Sequence, residues 1–241
     1  MNLRSRLPVL LAALTWHVAI ACAATNPEKA AMRMRATPSA HGPAPTAGSR
    51  ISWTRGRKVL RASQHAGVRH GRRALMFRGK RVAIALVAHA PRHPDMSFET
   101  GGLTNPTVCV SQGARVTLEV MNMDYGPGMA HGLVITSAKP PYPARLGRRL
   151  PHILADIPAL PPRSSARLHK ARYAEKTVHF VAGRPGTYYY VCPVPGHALA
   201  FRMYGRFVVR PARLKACPRS SGRGVRTATR PATPSGSRHL S

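Results

Sequence analysis

The sequence predicts an all-β protein, a β-sandwich with disordered basic extensions at its N- and C-termini. Three observations lead there. Short β-like runs separated by turn residues fill residues 74–212. No convincing amphipathic helix interrupts them. The two flanks are rich in Pro, Gly, Ser and Arg and offer little to bury. A length of 241 residues with 44% hydrophobic content suits one ordinary domain plus extensions, and is too apolar for wholesale disorder.

Met1–Arg6 carries Arg4 and Arg6, an apolar run continues from Leu7 to Ala24, and Ala21-Cys22-Ala23 places small residues at a cleavage position. This order defines a secretory signal peptide over residues 1–23 and a periplasmic destination. Cys22 as a lipoprotein cysteine is the lesser option, because Ala19 stands where such signals prefer a larger aliphatic residue. Residues 24–73 read as a flexible basic linker and 213–241 as a basic disordered tail.

Within 74–212 the strand candidates follow in order. Arg81–Val87 is the first. Val108–Val110 and Arg115–Val120 form a pair joined by Ser111–Ala114. Gly132–Thr136 follows, then Lys176–Phe180, the turn Arg184-Pro185-Gly186, and Thr187–Cys192. Arg206–Val209 closes the set. Lys139–Pro162 is Pro- and Arg-rich and reads as a surface excursion.

The chain holds 38 Lys+Arg against 7 Asp+Glu, a formal charge of +31. The net charge divides as +12 over 1–73, +12 over 74–212 and +7 over 213–241. Such an excess fits a polyanionic partner, a solubilising coat, or life in an acidic medium. Nucleic-acid binding would need aromatics among the basic residues, and the flanks carry almost none beyond Trp53. Contact of the tails with an anionic membrane surface stays open.

Chemistry concentrates in one loop. Residues 187–209 read T-Y-Y-Y-V-C-P-V-P-G-H-A-L-A-F-R-M-Y-G-R-F-V-V. Cys192 ends a strand, His197 lies five positions on, and Met203 heads the next strand. His131, in M-A-H-G-L-V-I-T, opens another strand. Alone, Cys192 is a small hydrophobe, His197 a loop residue and Met203 core filler. Together they offer two imidazoles, a thiolate and a thioether, the donor set of an electron-transfer copper site. The remaining histidines show no ligand spacing.

The region from about Arg81 to Arg210 resembles the blue copper proteins of the cupredoxin superfamily, most closely the rusticyanins, with sulfocyanins as near relatives. T-Y-Y-Y-V-C-x-V-P-G-H-A carries most of the likeness; Met96–Glu99, Asn105–Thr107 and Lys139–Tyr142 add weaker matches. The resemblance implies a Greek-key β-sandwich. One copper ion cycling between Cu(I) and Cu(II) would be held by His131, Cys192 and His197, with Met203 axial. It also implies no enzyme activity, but single-electron transfer between respiratory partners such as c-type cytochromes or a terminal oxidase. It places such proteins in the periplasm of acidophiles that respire on iron. Separately, the apolar neighbours Pro193, Val194, Pro195 and Leu199 lead to the expectation of a monomer that docks its redox partner near the His197 ring edge. Two departures stand out: one extra residue between His197 and Met203, expected to form a bulge within Ala198–Arg202, and a longer loop over Asp124–Ala130. Cys109 and Cys217 are placed either as a disulfide or, for Cys109, as a buried strand residue.

Alternatives from other classes are weaker. A multicopper oxidase needs His-x-His pairs and a His-Cys-His core, and neither occurs. A binuclear electron-entry centre needs a second loop Cys. A copper-handling or resistance protein shares the fold but would favour exposed Met or His clusters. The dry loop and few nearby carboxylates predict a high potential, and a copper site that survives acid well below the ordinary His pKa of about 6.5.

Overall fold

The computed structural model describes residues 48–147, 149–211, 216 and 217. The expected signal peptide, the linker before residue 48 and the tail beyond residue 217 lie outside the described residues. Among the described residues, thirteen strands form two sheets. The six-stranded sheet has the order β1 (Ser49–Ile51), β11 (Tyr173–Val181), β8 (Arg115–Asn122), β4 (Arg81–Ala88), β5 (Phe98–Thr100) and β6 (Leu103–Thr104). The seven-stranded sheet has the order β10 (Ala155–Leu160), β9 (His131–Thr136), β12 (Gly186–Val191), β13 (Tyr204–Arg210), β7 (Thr107–Ser111), β3 (Ala74–Met76) and β2 (Val68–Arg69).

Alternation along the strands explains the layering. In β4, Val82, Ile84 and Leu86 point inward, as do Val116, Leu118 and Val120 in β8. They pack against Leu133, Ile135, Tyr188, Tyr190, Phe207 and Val209 of the opposite sheet, forming a continuous core. Gly205 is required in this packing: a Cβ there would lie 2.1 Å from the Tyr190 hydroxyl, which donates to the Pro106 carbonyl at 2.6 Å.

The opposite face of β4 and β8 corrects the sequence reading. Residues 48–73, expected to be flexible linker, include β1, β2 and the helix α1 (Trp53–Gln64). Ser52 caps the helix, and Gly56, Val59, Leu60 and Ser63 form its buried stripe. With Trp53 it covers Ala85, Val87, Met121 and Tyr173. Three carboxylates fasten it. Ser63 Oγ donates to Glu99 Oε2 at 2.5 Å, and Arg55 reaches both Glu119 and Glu175. Apolar surface on both faces of β4 demands this cover.

Three further expectations change. The Val108–Val110 and Arg115–Val120 runs do not pair: β7 and β8 lie in different sheets, and each instead has parallel neighbours, β13 and β3 for β7, β4 for β8. The Lys139–Pro162 segment is partly structured, because Ala155–Leu160 becomes an edge strand on β9. Pro158 is accommodated by a register shift between Ile157 and Leu160. The start of the tail is anchored, since buried Cys217 forms a disulfide with Cys109, 108 residues away, with a Cα–Cα distance of 5.9 Å.

Candidate metal centre

The three ligand-bearing strands are neighbours in the order β9, β12, β13, and both contacts of β12 are antiparallel. The start of β9, the end of β12 and the start of β13 therefore meet at one end of the sheet. His131 opens β9, Cys192 follows β12, and Met203 precedes β13. His197 begins a one-turn helix, His197–Ala200, entered through left-handed Gly196.

His131, Cys192 and His197 place their donor atoms within 4.8 Å of one another. Cys192 Sγ is 3.5 Å from His197 Nδ1 and 3.9 Å from His131 Nδ1. Cys192, His131 and Met203 are fully buried, while His197 retains 6% exposure. Among the described residues this is the metal-competent cluster of His, Cys, Asp or Glu.

Met203 is fixed by backbone contacts: its carbonyl accepts from Cys192 N–H at 3.0 Å, and its N–H donates to the His197 carbonyl at 3.2 Å. Residues 198–202, expected to hold a bulge, instead form a helical turn followed by Arg202, whose φ is 52°. Asn105 Nδ2 donates to the Arg202 carbonyl at 3.3 Å and Asn105 Oδ1 accepts from Phe98 N–H at 2.9 Å. The Asn105–Thr107 match thus braces the ligand loop from another strand connection.

The electrostatics suit a cation. Burial pushes the Cys192 thiol up to about 11, against backbone N–H groups of Val194 and Gly132 that favour the thiolate. Glycine at 132 lets β9 lie close to β10 and to Pro193, since a Cβ there would lie 2.7 Å from the Ile157 carbonyl and 3.0 Å from Pro193. Burial, then the charge of His131, holds His197 down to about 4. The Cys192 thiol and the His197 ring are thus uncharged at pH 7 without a cation, and a bound cation would draw off the thiol proton.

Sequence reasoning missed Asp124. Its Oδ2 accepts from His131 Nε2 at 2.8 Å, and its Oδ1 accepts from Tyr125 N–H at 2.7 Å. Burial alone would raise this carboxyl, but the bonds from His131 and Tyr125 and the nearby His89 hold it below the ordinary carboxylate range. The expected few carboxylates near the site include this one, bonded directly to a ligand. Beyond its being one of only seven acidic residues, nothing in the sequence around Asp124 marks this contact.

Over 134 residues the chain is 34% identical to a rusticyanin of Acidithiobacillus ferrooxidans, spanning 56% of this chain and 79% of that protein. The chain belongs to the rusticyanin family. A rusticyanin of Acidithiobacillus ferridurans shows 34% identity over the same length, covering 66% of it. The solved rusticyanin of Thiobacillus ferrooxidans superposes with a TM-score of 0.58 at 26% identity, covering 69% of this chain and all of that one. Another solved structure, described as a copper protein rusticyanin, gives 0.58 at 27% identity, covering 67% and 97%. No protein-family model matches the chain. This rusticyanin-family chain is a blue copper cupredoxin by homology, and the buried His-Cys-His cluster fits that assignment in its donor chemistry.

Proposed function

We propose that this chain is an exported, monomeric type 1 copper protein that carries single electrons between respiratory redox partners. The supporting observation is the convergence of one donor atom each from His131, Cys192 and His197 within 4.8 Å, almost wholly shielded from water. Copper, when bound, supplies a one-electron couple between Cu(I) and Cu(II). His131, Cys192 and His197 would hold it, with the Met203 thioether as a further donor.

The protein residues do the rest. Strands β9, β12 and β13 hold the donors in nearly fixed positions, so little rearrangement accompanies a change of charge. Half-buried Pro193 and Val194 add apolar cover beside the site. His197, with the least buried ligand ring, lies 6.3 Å edge-on from Phe201, itself 54% exposed, next to equally exposed Leu199. This apolar rim is the proposed docking surface for a c-type cytochrome or a terminal oxidase, and iron-oxidising respiration in an acidic periplasm is the proposed setting. The basic tails would serve, if anything, anionic membrane surfaces rather than nucleic acid. A buried thiolate favours an electron carrier over a copper-handling protein, which must exchange metal quickly.

The test is an absorption spectrum of copper-loaded protein. An intense thiolate-to-copper band that disappears on reduction and is absent from Cys192→Ser supports the proposal. A Cys192→Ser variant that keeps the band places copper elsewhere.

A further inference from the structure

The Asp124–Ala130 loop, longer than in the relatives by the sequence reading, has a built interior. Asn122, at the end of β8, donates through Nδ2 to the carbonyls of Met129 and Leu160, both at 2.9 Å. Its Oδ1 accepts from Asp124 N–H at 2.8 Å. The Asp124 carbonyl accepts from Arg163 N–H at 2.8 Å, and Arg163 Nε donates to the Met123 carbonyl at 2.8 Å. The Arg163 guanidinium also lies 4.9 Å from the centre of the Tyr125 ring. These contacts fix the Asp124 carboxylate against the far nitrogen of buried His131.

We propose that Asp124 is a positioning residue for the metal centre: it locks His131 in the tautomer that presents Nδ1 to Cys192, and its negative charge lowers the reduction potential of the loaded site. The second half rests on the copper reading above; the first does not.

The tautomer follows from donor and acceptor counting. A neutral imidazole carries one N–H, and an ionised carboxylate only accepts hydrogen bonds. Asp124 Oδ2 at 2.8 Å therefore places the proton on Nε2 and leaves the Nδ1 lone pair facing the thiol. His131 is fully buried, so no water competes to reorient it. The partner of a ligating histidine's second nitrogen orients the ring and raises its basicity. Here that partner is an anion in a dry site, which favours the more positive metal state. Beyond it, His89 Nδ1 lies 3.9 Å from Asp124 Oδ2 and 3.0 Å from Asp95 Oδ1, leading from the site to exposed Asp95.

Asp124→Asn and Asp124→Ala in the full chain separate the two roles. Asparagine keeps a carbonyl acceptor and loses the charge; alanine loses both. Nitrogen-15 NMR of the metal-free protein should show His131 as the Nε2–H tautomer in the wild type and in Asp124→Asn, but as a mixture in Asp124→Ala. After copper loading, both variants should show a higher potential, with the oxidised-to-reduced equilibrium shifted about tenfold (~59 mV for one electron). Altered visible and EPR spectra are expected only in Asp124→Ala. A wild-type His131 protonated on Nδ1, or an alanine variant with an unchanged tautomer, overturns the positioning role. An unshifted potential in Asp124→Asn overturns the charge role. Should the alanine variant fail to fold, the wild-type tautomer and the Asp124→Asn potential still decide both. A wild type that shows no copper band instead counts against the electron-carrier reading and leaves the tautomer measurement valid.

Discussion

Acid should stabilise this chain through Glu119. Its carboxyl lies on β8 between Arg55 of α1 and Glu175 of β11. Burial, then the hydrogen bond and charge of Glu175, raise it from 4.5 to about 7, against the pull of Arg55. A carboxyl whose folded value lies above its unfolded one holds a proton that the unfolded chain releases between pH 4.5 and 7. That contribution is complete below pH 4.5 and is lost as the pH rises through 7. The full shift corresponds to about 3 kcal/mol. Solvent screening around a partly exposed carboxyl leaves roughly 1–2 kcal/mol, a Tm change of about 2–8 °C for a domain of this size. The assay is thermal unfolding of the metal-free wild type and Glu119→Gln at pH 4.5 and 7.5, because the difference between the two cancels the histidine titrations they share. Glutamine mimics the protonated acid, so it should be the more stable protein at pH 7.5 and equal to wild type at pH 4.5. A difference independent of pH, or a less stable glutamine variant at pH 7.5, refutes the reasoning. Counting carboxylates only as acid liabilities describes Asp124, whose lowered value costs stability as pH falls through it, but gives the wrong sign for Glu119.

Three other outcomes are expected. Val194→Asp or Leu199→Asp should slow electron exchange with a partner about tenfold, which is ~1.4 kcal/mol, without moving the potential; stopped-flow kinetics check this, and a larger effect from trimming the basic tails would refute the docking surface. Without metal, burial holds His197 down to about 4, and bound copper competes further with the proton, so the oxidised visible band should persist well below pH 6.5; bleaching near 6.5 in a spectrophotometric titration contradicts it. Cys109→Ala opens a cross-link spanning 108 residues and should cost about 2–5 kcal/mol in chemical denaturation, with the visible spectrum unchanged.

The sequence by itself determined the strands that alternate cleanly and the ligand loop. Cys192, His197 and Met203 share one short segment, so their spacing survives whatever the rest of the chain does, and His131 is marked by its place at a strand start. Helix α1 was not legible, because its buried stripe includes Gly56 and Ser63 and gains its meaning only from the outer faces of β4 and β8. The separation of β7 from β8 was also hidden: a short connection can turn back within one sheet or pass to the other, and only the partners from β13 and β4 decide. Asp124, Glu119 and the Cys109–Cys217 bond belong to the same class. Each acquires its role from a partner on another element, Asp124 from His131, Glu119 from Arg55 and Cys109 from Cys217. Burial and charge at such contacts are properties of the packed chain, and local spacing carries no record of them.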